Sequence, residues 1–523
     1  MDHDGRRDRA AAARPRFPTR TRPRDARCVS RNPGRPPVAG NERSHCVARQ
    51  NARSCTSHRE SGVQERANCC SLHDRSCRLA GMDDPLPELT AELRTITALP
   101  EVPLNGPRRW WGGPLDVEGL ALASVAAAAS AAAAVTGHRL GVRADLVAGA
   151  FSSIRHTRID GRKPEGFAPL SGFFPASDGW LRTHANYPHH AAVLERLYGA
   201  TDAPSLAAAL AGVAAADAEH DIDAAGGAAA RVRTAQDWRG SAPARAVDGS
   251  GWIEFDVGER ADAEPLVPTS GGLDGVRVLD LTRVIAGPTA TQLLAQLGAD
   301  VLRVDPPGLP ELVDMHVDRN AGKRTTLLDA RDLAHLAVID DLVARADVVV
   351  TGYRPGALAH LGLDAGALRE RRADLVVAEF SAWGFDGAWA GRRGFDSIVQ
   401  AATGIADAYR HDDGTPGALP VQALDYATGF GIAAAVCALL HRRAHTGLGG
   451  SARMSLARTA HLLLDQPSAT DALSPSPVPV IRRLDSPYGP LDLAAPAVTR
   501  DDAVMKHTTA PDDYGTAEPR FLS

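Results

Sequence analysis

VRVLDLTRVIAGPTATQLLAQLGADVLRVD, residues Val276–Asp305, reads as a strand, a helix and a second strand. VRVLDL and ADVLRVD are apolar, β-branched runs, and Thr289–Leu297 between them is helical in pattern. Two similar runs follow, ADVVVTGY (Ala346–Tyr353) and DLVVAEFSAWG (Asp374–Gly384), with helical segments at Asp332–Arg345 and Ala365–Arg372. Apolar strands alternating with helices predict a parallel sheet covered on both faces. Such sheets take ligands at the carboxyl ends of their strands. Here the first strand runs through Ile285-Ala286-Gly287-Pro288 straight into a helix. The N–H groups at that helix start suit an anion or a thioester oxygen. No GxGxxG and no GxxxxGK(S/T) is present, which removes support for dinucleotide and P-loop readings.

Further along stands LPVQALDYATGFGIAAAVCALLHRRAHTGLGGSARMS, Leu419–Ser455. It predicts a loop holding Asp425, a helix from about Ala427 to His441, a glycine-rich turn at Thr446–Gly450 and a short strand. Small residues at the helix start let another backbone or a flat ligand approach. A carboxylate just before a helix is ordinarily an N-cap, and the local pattern leaves that reading open beside a reactive one. Asn320-Ala321-Gly322-Lys323-Arg324 is a tight basic turn that suits a diphosphate, or an ordinary solvated turn. Tyr353-Arg354-Pro355-Gly356 and Gly394-Phe395-Asp396 follow later strands in the same way.

Toward the N-terminus, Asp83–Pro265 predicts a separate unit. Helices fit Pro87–Leu99, Gly119–Val135, His189–Tyr198, Pro204–Ala216 and Asp221–Ala235; Val142–Phe151 is a strand or short helix. Pro169–His184 reads as a hairpin with Asp178-Gly179 at its turn, and Gly240–Pro268 as a linker. Leu115–Leu146 echoes Leu424–Leu456: an acid, a small-residue helix, a Thr-Gly turn and an Arg-containing strand. This suggests a duplication. His184, His189 and His190 lack a spaced Asp, Glu or Cys to complete a metal site, so they read as surface or ligand-edge histidines.

Met1–Gly81 is rich in Arg, Pro, Ser and Cys, has no lysine and shows no periodicity. It reads as a disordered tail, a metal-binding tract or upstream sequence ahead of a start at Met82. Six of the seven cysteines lie there, in no zinc spacing, and the seventh, Cys437, reads as a buried thiol. A net charge of −5 gives no nucleic-acid signature. Ala121–Val135 is the nearest approach to a membrane span and reads as too short and weakly apolar.

In this order the segments resemble family III of the CoA-transferases, the CaiB/BaiF group that includes formyl-CoA and carnitine CoA-transferases. The resemblance rests on VLDLTRVIAGP, LLAQLGADVLRVD, NAGKRTTLLD, ADVVVTGYRPGALAHLGL, GFDSIVQAATG, LDYATG and TGLGGSARMSL, and covers Leu273–Leu463. It implies an α/β fold: a parallel-sheet, Rossmann-like family III domain with a smaller α+β domain, of the kind that interlocks in that family's dimers. It places Asp425 at the catalytic aspartate. It places Ile285, Ala286, Asn320, Lys323, Arg324, His360, Leu361, Arg393 and Asp396 on segments that contact CoA. The implied reaction is CoA transfer from an acyl-CoA to a carboxylic acid through a covalent aspartyl intermediate. Coenzyme A then belongs to the substrate, with no metal and no redox cofactor.

The resemblance also implies a cytoplasmic enzyme of lipid or carboxylic acid metabolism without nucleic-acid or membrane partners, acting as a homodimer or an intrachain pseudo-dimer. The implied organisation is an extension (1–81), a degenerate partial unit (82–265), the catalytic domain (273–465) and a tail (466–523). Asp116 stands near the Asp425 position of the partial unit, but Val117-Glu118-Gly119 follows it, so it is not expected to be catalytic. A related branch racemises 2-methylacyl-CoA with a His-Asp pair, and Phe395 stands where that histidine falls, so transfer ranks first. A non-catalytic CoA-binding protein is the third reading. The alanine-rich surroundings of Asp425 favour a hydrophobic or steroid-like acyl group over oxalate.

Overall fold

The computed structural model describes residues 88–258, 272–466, 468 and 470–522. Residues 1–81, their six cysteines and Met82 lie outside them. In chain order, the elements that build the site begin with helix α1 (Val117–Thr136) and strand β1 (Glu254–Asp256). Strand β2 (Arg277–Leu281), helix α2 (Ala286–Gln296), strand β3 (Asp300–Asp305), helix α3 (Val313–Arg319) and strand β4 (Arg324–Leu327) follow. Then come β5 (Val348–Thr351), β6 (Val376–Ser381), helix α4 (Asp396–Thr403), helix α5 (Ala423–Thr446) and β7 (Gly450–Ser455).

The seven-stranded sheet has the order β4-β3-β2-β5-β6-β7-β1. All pairings are parallel except that of β7 with β1, which is antiparallel. This is the doubly wound sheet that the apolar runs predicted. Its chain order reverses between β2 and β5, where such sheets open a crevice at their carboxyl ends. β1 is a correction: Glu254–Asp256 sits in the stretch read as a linker. Three residues with exposed acids carry too little pattern to announce a strand.

A second correction lies at 229–231, read as helix from the alanines but strand in the structure. The helix before it ends at Ala224, and Gly226 takes φ +83°, which ends a right-handed helix. The hairpin is present as Gly172–Ala176 against Gly179–Thr183. Residues near the C-terminus join sheets with residues from the first half of the chain. Val498–Arg500 pairs with Leu140–Arg143, and Leu491–Ala494 pairs with Arg158–Ile159.

The core centres on α1 and α5, side by side in one apolar cluster. Both are long and apolar enough to cross a membrane, but 83% and 100% of their apolar windows are buried inside the protein. They act as core helices here. Each ends at a left-handed glycine, Gly137 or Gly447, and each leads into a strand and then another helix.

α5 also crosses α2 closely. A Cβ on Gly429 would stand 2.5 Å from the Ala286 carbonyl oxygen and 2.9 Å from Thr289 Cβ. The first of these is backbone and cannot swing aside. Asp425 lies one turn before Gly429, so the same face that meets the start of α2 carries the carboxyl group. Gly429→Ala is therefore expected to cost about 1–3 kcal/mol of stability by overpacking, read from the denaturant midpoint. An unchanged midpoint would mean that the helices are not in this contact.

Candidate active site

α5 starts a turn earlier than predicted, at Ala423, with Gln422 as its N-cap residue and no side-chain cap of its own. Asp425 thus lies inside the first turn and is not the N-cap. The capping is done from α4. Asp396, 1% exposed, accepts the Asp425 backbone N–H on Oδ2 at 3.0 Å and the Gln400 side chain on Oδ1. Gln400 in turn accepts the Leu419 N–H at 2.9 Å, which ties the approaching loop to the same helix. A carboxylate at a helix N-terminus is where the dipole favours it.

The consequence is that the Asp425 carboxyl group is spared. It is 7% exposed and forms no hydrogen bond or ion pair among the described residues. Burial, and then the charge of Asp396, raise it well above the usual carboxylate range. Burial raises Asp396 to about 6 against the hydrogen bonds from the Asp425 N–H, Gln400 and the Leu424 N–H. Asp116, at the start of α1, is the opposite case. It accepts the Gly119 N–H at 2.8 Å and is held by both guanidinium nitrogens of Arg108. A capped, ion-paired carboxylate is held in place and its charge is already matched, which makes it a poor nucleophile.

Asp425 and Asp396 face a cavity of about 750 Å³. Ile285 and Val284 line it from the end of β2, and Phe395 from the start of α4. Phe151, Ile154, Phe167, His184 and Tyr187 line it from the first half of the chain. Beyond the ligand-edge reading of its histidines, that half gives no site signal in the sequence, because aromatic residues scattered between short elements have no spacing pattern. Ion pairing of Arg162 with Asp314, at the start of α3, ties the segment before Phe167 to the cavity wall. Phe167 is 50% exposed at the mouth.

The cavity wall is strained at one point. Val284 takes φ +68°, which β-branched residues avoid. Glu311 holds it there, accepting the Val284 N–H at 2.9 Å and the Tyr187 hydroxyl at 2.6 Å. Burial alone would raise Glu311, but Arg303 and Arg283 bring it to about 2, so it stays an anion. Strain of this kind concentrates at functional sites.

The remaining sequence candidates separate. Ala286 is buried at the first turn of α2, against Gly429. Asn320 is buried, with its amide nitrogen 2.8 Å from His316. Lys323 is a correction: it does not face the cavity. Its ammonium is fully buried, 3.2 Å from Asp280, 3.0 Å from the Thr291 hydroxyl and 3.3 Å from the Pro288 carbonyl. Burial brings it down to about 8 despite Asp280. Arg324 pairs with Asp300 at 2.7 Å and donates to the Arg520 carbonyl on the sheet edge. His360 is exposed on a short 3-10 helix, while Leu361 packs against an apolar cluster beside the sheet.

Arg393 belongs to a group that the sequence did not assemble. Arg283 after β2, Arg354 after β5 and Arg393 before α4 act electrostatically on one another or on His189. Burial, and then Arg354, lower the Arg393 guanidinium. Cations gathered at the carboxyl edge of a parallel sheet suit an anionic ligand. His184 and His190 are buried, which corrects the surface half of their reading, while His184 lines the cavity as the ligand-edge half has it; His189 is exposed. Among the described residues, no three His, Cys, Asp or Glu side chains gather as a metal site.

Comparison with known proteins gives one family. Residues 273–493 match CoA-transferase family III. A probable fatty acyl-CoA transferase of Mycobacterium tuberculosis is 32% identical over 240 residues, 42% of this chain and 61% of that one. Formyl-CoA:oxalate CoA-transferase of Streptomyces coelicolor is 32% identical over 35% of this chain and 47% of its own. Succinyl-CoA:glutarate CoA-transferase of Mus musculus is 32% identical over 36% of this chain and 45% of its own. A crystal structure of the Mycobacterium tuberculosis protein aligns with TM-score 0.34 and 33% identity, over 38% of this chain and 57% of that one. The chain thus spans about half the length of the curated relatives that it matches.

Proposed function

We infer, from the match of residues 273–493 to CoA-transferase family III, that the chain transfers CoA between an acyl-CoA and a carboxylic acid, with Asp425 as nucleophile. The observation that carries the assignment is a buried carboxyl group, freed from capping by Asp396, at the floor of the large cavity. A carboxylate oxygen of Asp425 attacks the thioester carbonyl; the C–S bond breaks, leaving an acyl-aspartyl anhydride and CoA thiolate. The thiolate attacks the aspartyl carbonyl of the anhydride, releasing the donor acid as its carboxylate and forming an aspartyl-CoA thioester. The acceptor carboxylate attacks that thioester and expels the thiolate, which then takes the acceptor acyl group and restores Asp425. Each step exchanges one carboxylate or thiolate for another, so no external acid, oxidant or metal is required.

The Arg283, Arg354 and Arg393 group supports the phosphate end of CoA at the sheet edge, with His189 beside it. The apolar side chains around the cavity, among them Phe151, Ile154, Phe167, Ile285 and Phe395, support an apolar acyl group over a small dicarboxylate. Of the charged side chains that line the cavity, Arg162 is paired with Asp314, and Arg155 donates to the Pro420 carbonyl. Exchange assays pairing labelled CoA with decanoate, oxalate and glutarate acceptors test this. Turnover is expected with the apolar acid, and turnover confined to oxalate or glutarate would overturn the substrate reading. The pairing of α1 with α5, each begun by an acid, supports an intrachain pseudo-dimer with one reactive site.

The pair also sets a pH dependence. Asp425 must be ionised to attack, and Asp396 opposes its ionisation. Activity is therefore expected to rise with pH on the acid side. Asp396→Asn keeps an acceptor for the helix N–H but removes the charge, so the acid limb of kcat/KM should move to lower pH. A limb that stays in place would mean that Asp396 does not act on the nucleophile.

A further inference from the structure

We propose that His184 is a second catalytic residue of this cavity, a neutral imidazole whose Nε2–H is donated to the acyl carbonyl oxygen as negative charge develops on it. The proposal rests on the transferase reading above and assigns a role within it.

The geometry begins with how the ring is held. His184 follows the strand Gly179–Thr183 and is 6% exposed. Its ring stacks face to face on Phe395, with centroids 3.6 Å apart and planes 8° from parallel. Phe395 immediately precedes Asp396, which accepts the Asp425 N–H. His184, Phe395, Asp396 and Asp425 all line the one cavity. The stacking fixes the imidazole plane, and Tyr187 and Phe167 flank it at centroid distances of 6.5 Å and 6.2 Å.

The protonation state follows from the surroundings. Burial, then His190 and Arg182, push the imidazole down to about 3. It is therefore neutral at physiological pH, with one N–H and one lone pair. Nδ1 is buried and makes no contact of full hydrogen-bond geometry among the described residues, and His184's own backbone is the smallest of the influences on the ring. A stranded N–H donor is rarer and costlier than an unmet acceptor, so the proton belongs on Nε2. With Nδ1 shut away, the Nε2 edge is the one the cavity can reach. A neutral imidazole N–H is a good donor to a developing oxyanion, because it polarises the carbonyl without a cation to desolvate. His190 differs: it is buried too, but it does not line the cavity. His189 is exposed and sits among arginines.

The role is not general base catalysis. An imidazole this strongly depressed binds a proton poorly, and the thiolate leaving group needs none. The expected signatures are a loss in kcat without a new pH limb. His184→Phe keeps the stacked ring and removes the donor, and should lower kcat by about 10²–10³-fold. His184→Gln restores an N–H donor and should recover part of that loss. The pH profiles of both should keep the wild-type limbs.

The full chain carries the test, with decanoyl-CoA as donor and decanoate as labelled acceptor. In parallel, ¹⁵N-histidine spectra of the wild type are taken with the ketone analogue of decanoyl-CoA, in which CH₂ replaces the thioester sulfur. The proposal expects the His184 N–H resonance to move downfield on binding and not to titrate between about pH 5 and 8. An active wild type with His184→Phe within twofold of it overturns the His184 role alone. So does an N–H signal unchanged by bound analogue, or a titration near neutrality. A wild type with no exchange from any donor overturns the transferase reading instead. If His184→Phe fails to fold, the spectra of the wild type decide.

Discussion

Asp425→Ala should abolish CoA exchange, lowering kcat by about 10⁴-fold or more, while the folded chain survives. The size follows from the role: no neighbour can replace a covalent nucleophile. Asp396 is close, but its oxygens hold the Asp425 N–H and Gln400. Stability should move the other way. Asp425 is buried, has no hydrogen-bond partner among the described residues and faces a second carboxyl group. Its folded-state pKa lies above the unfolded value, so the folded state binds the extra proton. Stability falls as pH rises through that range, because ionisation is easier in the unfolded chain. Removing the group should therefore raise the melting temperature, and more at pH 8 than at pH 5. A variant both inactive and less stable at both pH values would mean that Asp425 holds the fold together. Active sites commonly carry such a stability cost.

Lys323→Ala should be the most destabilising of the single changes considered, by about 3–5 kcal/mol in denaturant unfolding. Lys323 reaches under α2 from the turn before β4 and meets Asp280 at the end of β2. Asp280 is fully buried; burial would raise it, but Lys323, Arg303 and two threonine hydroxyls keep it below the usual range. Without Lys323 its charge would lose its direct ion-pair partner in the core, with Arg303 left to act at longer range. Adding Asp280→Asn should return part of the loss, because the orphaned charge goes with it. A CoA contact would give a different pattern: an unchanged midpoint and a raised KM for the CoA ester.

That contrast shows where the sequence is informative. The sheet was legible because parallel strands are buried on both faces and read as continuous apolar runs. The single acid before the small-residue helix was legible as well, and its position inside the first turn was not. The N-cap reading looked only at residues next to α5, whereas the cap comes from α4, 29 residues earlier. Lys323-Arg324 resembled a phosphate-binding turn because burial cannot be read from a Gly-Lys-Arg string. The partner that buries Lys323, Asp280, lies 43 residues away. The cavity's other wall is supplied by residues 151–187, which reach the sheet only through long-range packing. The same distance hid how His184 is held, since stacking on Phe395 joins positions 211 residues apart.

The most direct measurement of the central claim is mass mapping of the full chain after incubation with an apolar acyl-CoA and hydroxylamine. An acyl-aspartyl anhydride or an aspartyl-CoA thioester at Asp425 is captured as a hydroxamate on that residue. The expected result is this modification on the peptide containing Asp425, dependent on the acyl-CoA and absent from Asp425→Ala. Exchange activity with Asp425 unmodified, or persisting in Asp425→Ala, would contradict it.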